Sequence, residues 1–331
     1  MKFLIAGFGS IGRRHLRNLQ ALGEQDVMLL RSNRSTLPLD EIANVPVETD
    51  LQAALAAGPD AVIVSNPTAL HLDVAIPAAE AGCAILLEKP IAHNLERVAA
   101  LRAAAQRGGA QVLVGFQLRY HPTLRLAAER IAAGEIGAVQ SARAHWGEYL
   151  PNWHPWEDYR QGYAARADLG GGVILTLSHP LDYLRFVIGE VQDVWAFTAQ
   201  SGDLGLPVED SAEIGLRFAS GAVGSVHLDY LQQPASHTLE VIGAAGTLRW
   251  NAADGALSIY SPAAQSWQVH MPPDGFERNW LFMEEMRNFV AVARGEAAPA
   301  CTLDDGVRAL EIALAARDSA ADGTMKSVAR M

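Results

Sequence analysis

Residues 2–15 read KFLIAGFGSIGRRH, and this stretch decides the fold. Phe3, Leu4, Ile5 and Ala6 make a short buried-strand signal. Gly7, Gly9 and Gly12 follow at G-x-G-x-x-G spacing, and Ile11, Leu16, Leu19 and Leu22 start a helical pattern at once. In such a turn the first glycine allows the tight exit from the strand. The second lets a pyrophosphate approach the backbone, and the third lets the helix pack close to the sheet. The N–H groups at the helix N-terminus then face the phosphates. Strand before and helix after is the context that gives three glycines meaning. Gly7, Phe8, Gly9, Ser10, Ile11 and Gly12 are therefore expected to hold a dinucleotide.

The strand ends that follow carry the informative polar residues. Residues 26–30 (DVMLL) read as a second strand ending in Arg31, Ser32, Asn33 and Arg34. An acid is expected at that end of an NAD site, to bond the ribose 2′-hydroxyl. None stands there, whereas Arg31, Ser32 and Arg34 suit a 2′-phosphate, so NADP is the expected cofactor, with NAD the alternative. Further strands are read at 60–64, 84–87 and 111–115, and helices at 50–57, 71–81 and 94–107, with Asp50 and Asn94 as N-caps. Strands alternating with helices make a doubly wound parallel sheet. Its ligand lies at the carboxyl ends of the strands, where Ser65, Asn66, Glu88, Lys89 and Gln117 are found.

The pattern changes after residue 120. A helix at 123–133 leads to a strand at 138–148 and an aromatic loop holding Tyr149, Trp153, Trp156, Tyr159 and Tyr163. Gly170–Gly172 then opens what reads as one apolar helix carrying His179 and Asp182. Residues 191–270 read as strands joined by turns, a mostly antiparallel sheet. Two amphipathic helices, at 276–294 and 303–320, close the chain, with Thr302 as an expected N-cap. The fold class is thus α/β: an N-terminal dinucleotide-binding domain (residues 1–120) and a C-terminal α/β domain with a large, open, mostly antiparallel sheet (residues 121–331). The C-terminal helix is expected to pack back on the first domain.

Composition narrows the partners. The 331 residues carry a net charge of −11, which argues against nucleic acid or an anionic membrane as the main partner. No apolar run approaches the ~20 residues of a membrane helix. Cys83 and Cys301 form no C-x-x-C pair, which fits a reducing, cytoplasmic setting. The glycine-broken first run, followed by Arg13, Arg14 and His15, does not read as a secretory leader. The ten histidines show no metal-ligand spacing, so no metal is expected.

Two residues are candidates for proton transfer. Lys89 ends a buried strand and precedes a proline; desolvation there suits a proton donor or acceptor, although Glu88 and Lys89 can equally be read as a strand-end ion pair. His179 lies one turn before Asp182, an i, i+3 pair, and is either a proton-sharing histidine or a bonded core histidine. The triple glycine before it implies close backbone approach to something. Aromatic rings mixed with fork-like donors in the loop at 149–163 suit a sugar, or else an interface or lid.

Together the glycine loop, Glu88-Lys89-Pro90, Arg119-Tyr120-His121-Pro122 and Gly170-Gly171-Gly172…His179…Asp182 resemble the glucose-fructose oxidoreductase / inositol dehydrogenase / rhizopine catabolism (Gfo/Idh/MocA) family. The resemblance implies a Rossmann domain, a nicotinamide cofactor and oxidation or reduction at a ring carbon of a sugar or cyclitol. It implies dimers or tetramers through the second sheet. Lys89 and His179 map to the family's catalytic pair. Ser65, Asn66, His71, Glu88 and Gln117 would line the cofactor. Arg119, Tyr120, Tyr149, Trp153, Tyr163, Thr176 and Asp182 would line the substrate pocket. One departure stands out: many relatives carry an acid one turn before the histidine, where this chain has Leu175 and Thr176. That departure keeps a second reading open, a non-redox glycosidase or lyase using bound NAD transiently; a third reading is a non-catalytic dinucleotide-binding regulator.

Overall fold

The computed structural model describes residues 1–32 and 42–328. The chain forms two compact units, Met1–Gln117 with Glu277–Val307, and Leu118–Phe276 with Arg308–Met331. In the first, strands β1 (Phe3–Ala6), β2 (Val27–Leu30), β3 (Val47–Glu48), β4 (Ala61–Val64), β5 (Ala84–Glu88) and β6 (Val112–Gly115) make a parallel sheet in the order β3-β2-β1-β4-β5-β6. Every residue of β1, β4, β5 and β6 is buried. Unbroken apolar runs are what a parallel sheet covered on both faces requires. The covering helices are α1 (Ser10–Ala21), α2 (Leu51–Ala56), α3 (His71–Glu80) and α4 (Val98–Gly108). The Asp50 carboxylate caps α2 by accepting from Ala53 N at 2.8 Å.

The second unit continues with helices α5 (Pro122–Ala132), α6 (Val173–Thr176) and α7 (His179–Ile188). Its sheet holds β7 (Val139–Gly147), β8 (Val191–Ala199), β9 (Ser211–Phe218), β10 (Val223–Asp229), β11 (Ser236–Gly243), β12 (Gly246–Asn251), β13 (Leu257–Ser261), β14 (Ser266–His270) and β15 (Lys326–Ser327). The strand order is β14-β13-β12-β11-β7-β10-β9-β8-β15, antiparallel except for β7 beside β10. Burial alternates along β9, as expected for a sheet with one covered and one open face.

Four expectations change. First, residues 277–307 belong to the first unit. Helix α8 (Arg278–Ala293) supplies Met286, Phe289, Val290 and Val292 to the core that holds Phe3, Ile5, Leu29 and Ile63. Second, helix α9 (Leu303–Asp322) is counted with the first unit only as far as Val307. Its later part joins the second, where the Ser319 hydroxyl accepts from Ala196 N at 3.0 Å. Thr302 caps it as expected, accepting from Asp305 N at 3.1 Å. Third, Asn94 does not cap α4. Its side chain accepts from Glu96 N at 3.1 Å, a local turn, and the helix begins at Val98. Fourth, the helix after the triple glycine is two helices. Pro180 has no N–H for the carbonyl of Thr176 and its ring crowds that carbonyl, so α6 stops there. The strands β3 and β15 are two residues long, too short to carry a periodicity in sequence.

Candidate active site

Strand register sets the geometry of the first unit. Ala6 pairs with Val64, and Val64 with Leu87, so Gly7, Ser65 and Glu88 leave three adjacent strands at one level. Chain order reverses between β1 and β4, the switch point at which such sheets bind ligands. Gly7 adopts φ +97°, and a Cβ there would lie 2.5 Å from Asn66 N. A Cβ on Gly12 would lie 2.2 Å from Gly7 O, while one on Gly9 would meet nothing within 4 Å. Gly7 and Gly12 are thus demanded by the fold, and Gly9 leaves open space. Helix α1 has no side-chain cap at Gly9 and no acid in its first turn, so its first N–H groups point out of the loop. Phe8 is buried under the Arg13 guanidinium, 4.7 Å from the ring centroid, whereas Ser10 is exposed.

The flanking residues brace this loop. The Ser65 hydroxyl donates to Gly7 O at 3.0 Å. Asn66 Nδ2 donates to Leu70 O at 3.0 Å. His71 sits between Pro90 O and Asn66 O, 2.9 Å from each, and burial lowers its pKa. Arg31 is buried and its Nε has no hydrogen-bond partner among the described residues, nor has Asn66 Oδ1. Ser32 is exposed, and Arg34 lies outside the described residues. An uncapped helix N-terminus, open space at Gly9 and a buried cation with an unpartnered N–H fit a dinucleotide phosphate chain.

Glu88 is buried at the end of β5 and accepts from His15 Nε2 at 2.8 Å. Burial works to raise its pKa, but the His15 bond and the charges of His15, Lys89 and His71 prevail and hold it below the ordinary value. Lys89 is half-buried, with its backbone N–H donating to Glu88 Oε2 at 3.3 Å. Gln117 is buried at the start of a 3₁₀ turn that runs to Tyr120.

In the second unit, Arg119 and Asp182 hold each other. Arg119 Nε lies 2.9 Å from Asp182 Oδ2 and Nη2 lies 2.7 Å from Oδ1, with side chains only 6% and 2% exposed. This pair binds α7 to the segment before α5. His179 is buried with its ring 5.4 Å from that of Trp146. Thr176 is buried, and the phenol of Tyr230 donates to Ala164 O at 3.3 Å. Tyr120 is buried with the Arg125 guanidinium 5.0 Å from its ring. Tyr149, Trp153 and Tyr163 remain half-buried. Trp153 meets Tyr230 edge-on at 5.7 Å, and its Nε1 has no hydrogen-bond partner among the described residues. The triple glycine serves the chain itself. A Cβ on Gly171 would strike the carbonyls of Tyr163, Ala164 and Arg166, and one on Gly172 would lie 2.3 Å from Glu209 Oε1. Burial raises the pKa of this Glu209.

The chain matches two family models. The oxidoreductase family with an NAD-binding Rossmann fold covers residues 1–116, and the matching GFO/IDH/MocA C-terminal domain covers residues 124–249. A 1,5-anhydro-D-fructose reductase of Ensifer adhaerens is 30% identical over 272 residues, spanning 80% of this chain and 78% of the relative. The chain belongs to the Gfo/Idh/MocA oxidoreductase family. A myo-inositol dehydrogenase of Streptomyces leeuwenhoekii is 28% identical over 98% of this chain and 99% of the relative. Among solved structures, a levoglucosan dehydrogenase in complex with NADH and levoglucosan shares the fold, with TM-score 0.88 and 22% identity over 100% of both chains.

Within this Gfo/Idh/MocA chain, spacing concealed two His/carboxylate groups. His15, Glu88 and Glu285 each bring one ligand-type atom within 4.8 Å of the others, as do His145, His227 and Asp229. On the sheet, His145 stacks on His227 with centroids 4.7 Å apart, and His227 bridges Glu213 and Asp229 at 2.6 and 2.9 Å. Glu285 had a readable signal, a charge inside the apolar stripe Leu281, Phe282, Met286 and Phe289 of α8.

Proposed function

We propose that this chain is an NADP-preferring dehydrogenase or reductase acting at a ring carbon of a sugar, sugar derivative or cyclitol. Lys89 moves the proton on the reacting oxygen, assisted by His179. The observation that carries this reading is how tightly Lys89 is flanked: Glu88 is tied to His15 and Pro90 O to His71, at a strand end level with the glycine loop. A proton-transfer group must keep its geometry, and two anchored neighbours supply that. When bound, the nicotinamide supplies or takes up the hydride. Tyr149, Trp153 and Tyr163 are the half-buried aromatic residues offered to a sugar ring. The sugar reading draws on relatives named for anhydrofructose, inositol and levoglucosan.

Lys89→Ala is expected to lower kcat by about 10²–10⁴ while cofactor titration stays near wild type; near-normal kcat overturns the assignment. The preference for NADP rests on Arg31, buried with no partner for its Nε among the described residues, with Ser32 and Arg34 close to it in sequence. Arg31→Ala should lower kcat/KM for NADP by tenfold or more and leave NAD little changed, about the 1.5–3 kcal/mol of a hydrogen bond to a charged group. A wild type that prefers NAD refutes this part. Leu175 and Thr176, at the two positions where the family resemblance leads one to expect an acid, favour one second reading, a glycosidase or lyase with no net redox change. A glycoside consumed without a net change in nicotinamide absorbance would select it. Assembly as a dimer or tetramer through the nine-stranded sheet, in the cytoplasm, belongs to the same reading. Its open side exposes Trp195, Phe197 and Val223, and light scattering of the purified chain reads the oligomer directly.

A further inference from the structure

Helix α8 buries a carboxylate where its pattern calls for an apolar side chain. Glu285 has no exposed surface, and neither carboxylate oxygen has a hydrogen-bond partner among the described residues. α8 packs on α1, β5 and β6, and this brings Glu285 beside His15 and Glu88, all three buried. His15 Nε2 is engaged by Glu88, while His15 Nδ1 has no partner among the described residues. Two carboxylates this close, in a dry core, do not both ionise. Glu88 has the better claim to the charge, because His15, Lys89, His71 and Arg14 all act on it. Glu285 has no such support, and burial and then the Glu88 charge raise its pKa well above the ordinary value.

We propose that Glu285 is a buried carboxylic acid forming a proton-holding triad with His15 and Glu88 behind Lys89, and that it is a positioning residue which, by staying neutral, leaves the charge of Glu88 to act on Lys89. Against Glu285 stand His15 from α1 and Glu88 from the end of β5. Lys89, His71 from α3 and Arg14 from α1 act on Glu88, and Arg278 of α8 and Arg17 of α1 act on Arg14. The β6 residues Val112–Gly115 contribute none. Loss of the Glu285 proton would set a second anion against Glu88. The charge acting on Lys89 would then change without any atom of Glu285 touching substrate.

The triad is tested on the unliganded protein by infrared difference spectroscopy of protonated carboxyl groups across a pH titration. The expected result is a carboxylic acid band at neutral pH that is absent from Glu285→Gln. In Glu88→Gln its titration should move at least about one pH unit lower, because the neighbouring anion is gone. Absence of that band, or a titration unmoved in Glu88→Gln, overturns the triad. Glu285→Met is the second variant, since an apolar group of similar volume removes the buried acid without a cavity. The positioning role rests on the reading of Lys89, and its readout is the pH dependence of kcat. Both Glu285 variants should lose one ionisation from that profile, with KM for the sugar unchanged. An unchanged profile alongside an intact infrared signature overturns the positioning role alone.

Discussion

Asp182→Ala offers the sharpest test of the second unit. The carboxylate removed is 2% exposed, and its partner Arg119 is 6% exposed, joined through Nε at 2.9 Å and Nη2 at 2.7 Å. At a protein surface such a pair is worth about 0–1 kcal/mol. In a dry interior the loss of one partner leaves an uncompensated charge, which costs about 3–5 kcal/mol. For a unit of 150–250 residues each kcal/mol moves Tm by about 2–4 °C, so a fall of about 6–20 °C is expected. The assay is urea and thermal unfolding followed by tryptophan fluorescence. It reads this unit well, because Trp146, Trp153, Trp156, Trp195, Trp250 and Trp267 lie in it and only Trp280 lies in the other. The double variant Arg119→Met/Asp182→Leu should recover most of the loss, since apolar groups of similar volume replace both charges. A loss below about 1 kcal/mol in the single variant would mean that water reaches the pair. A double variant no better than the single would mean that the buried charge is not the cause. Either result refutes the reasoning.

Gly12→Ala reverses an ordinary rule. In an open helix the change stabilises by about 1 kcal/mol, but here the new Cβ would lie 2.2 Å from Gly7 O. A loss of about 1–3 kcal/mol is expected, with dinucleotide affinity at least tenfold weaker by fluorescence titration; a more stable variant contradicts the close approach. His121 predicts a pH dependence. Burial lowers its pKa to about 4, against about 6.5 in the unfolded chain. Between these values the unfolded state binds the extra proton, so stability falls as pH drops from about 6.5 to 4, by up to about 3 kcal/mol. His121→Phe should flatten that limb while keeping the edge-on contacts with Trp250 and Phe276, as urea unfolding at stepped pH would read.

Much of the fold was legible because local rules agree with the tertiary outcome. The apolar runs of β1, β4, β5 and β6 are unbroken because both sheet faces are covered. The turns expected between the strands of 191–270 include two tight hairpins, at 218–222 joining β9 to β10 and at 244–246 joining β11 to β12. Thr302 and Asp50 cap helices because their side chains reach N–H groups three residues on. Pro180 was in plain view, and its missing N–H could have warned that the helix breaks at Thr176. The pairing of Arg119 with Asp182 was not readable, since 63 residues separate them.

The sequence alone determined that a glycine turn between strand and helix would hold a dinucleotide, that Lys89 would follow the end of a buried strand, and that a large, mostly antiparallel sheet would follow the first domain. These are local facts, set by period, spacing and the backbone freedom of glycine. Tertiary structure decided which polar groups meet. It brought α8 back from residues 277–307 into the first core, and so set Glu285 against His15 and Glu88. It turned the triple glycine towards Glu209 and the loop carbonyls. Burial and charge pairing are sums over neighbours distant in the chain, and only the folded arrangement chooses those neighbours.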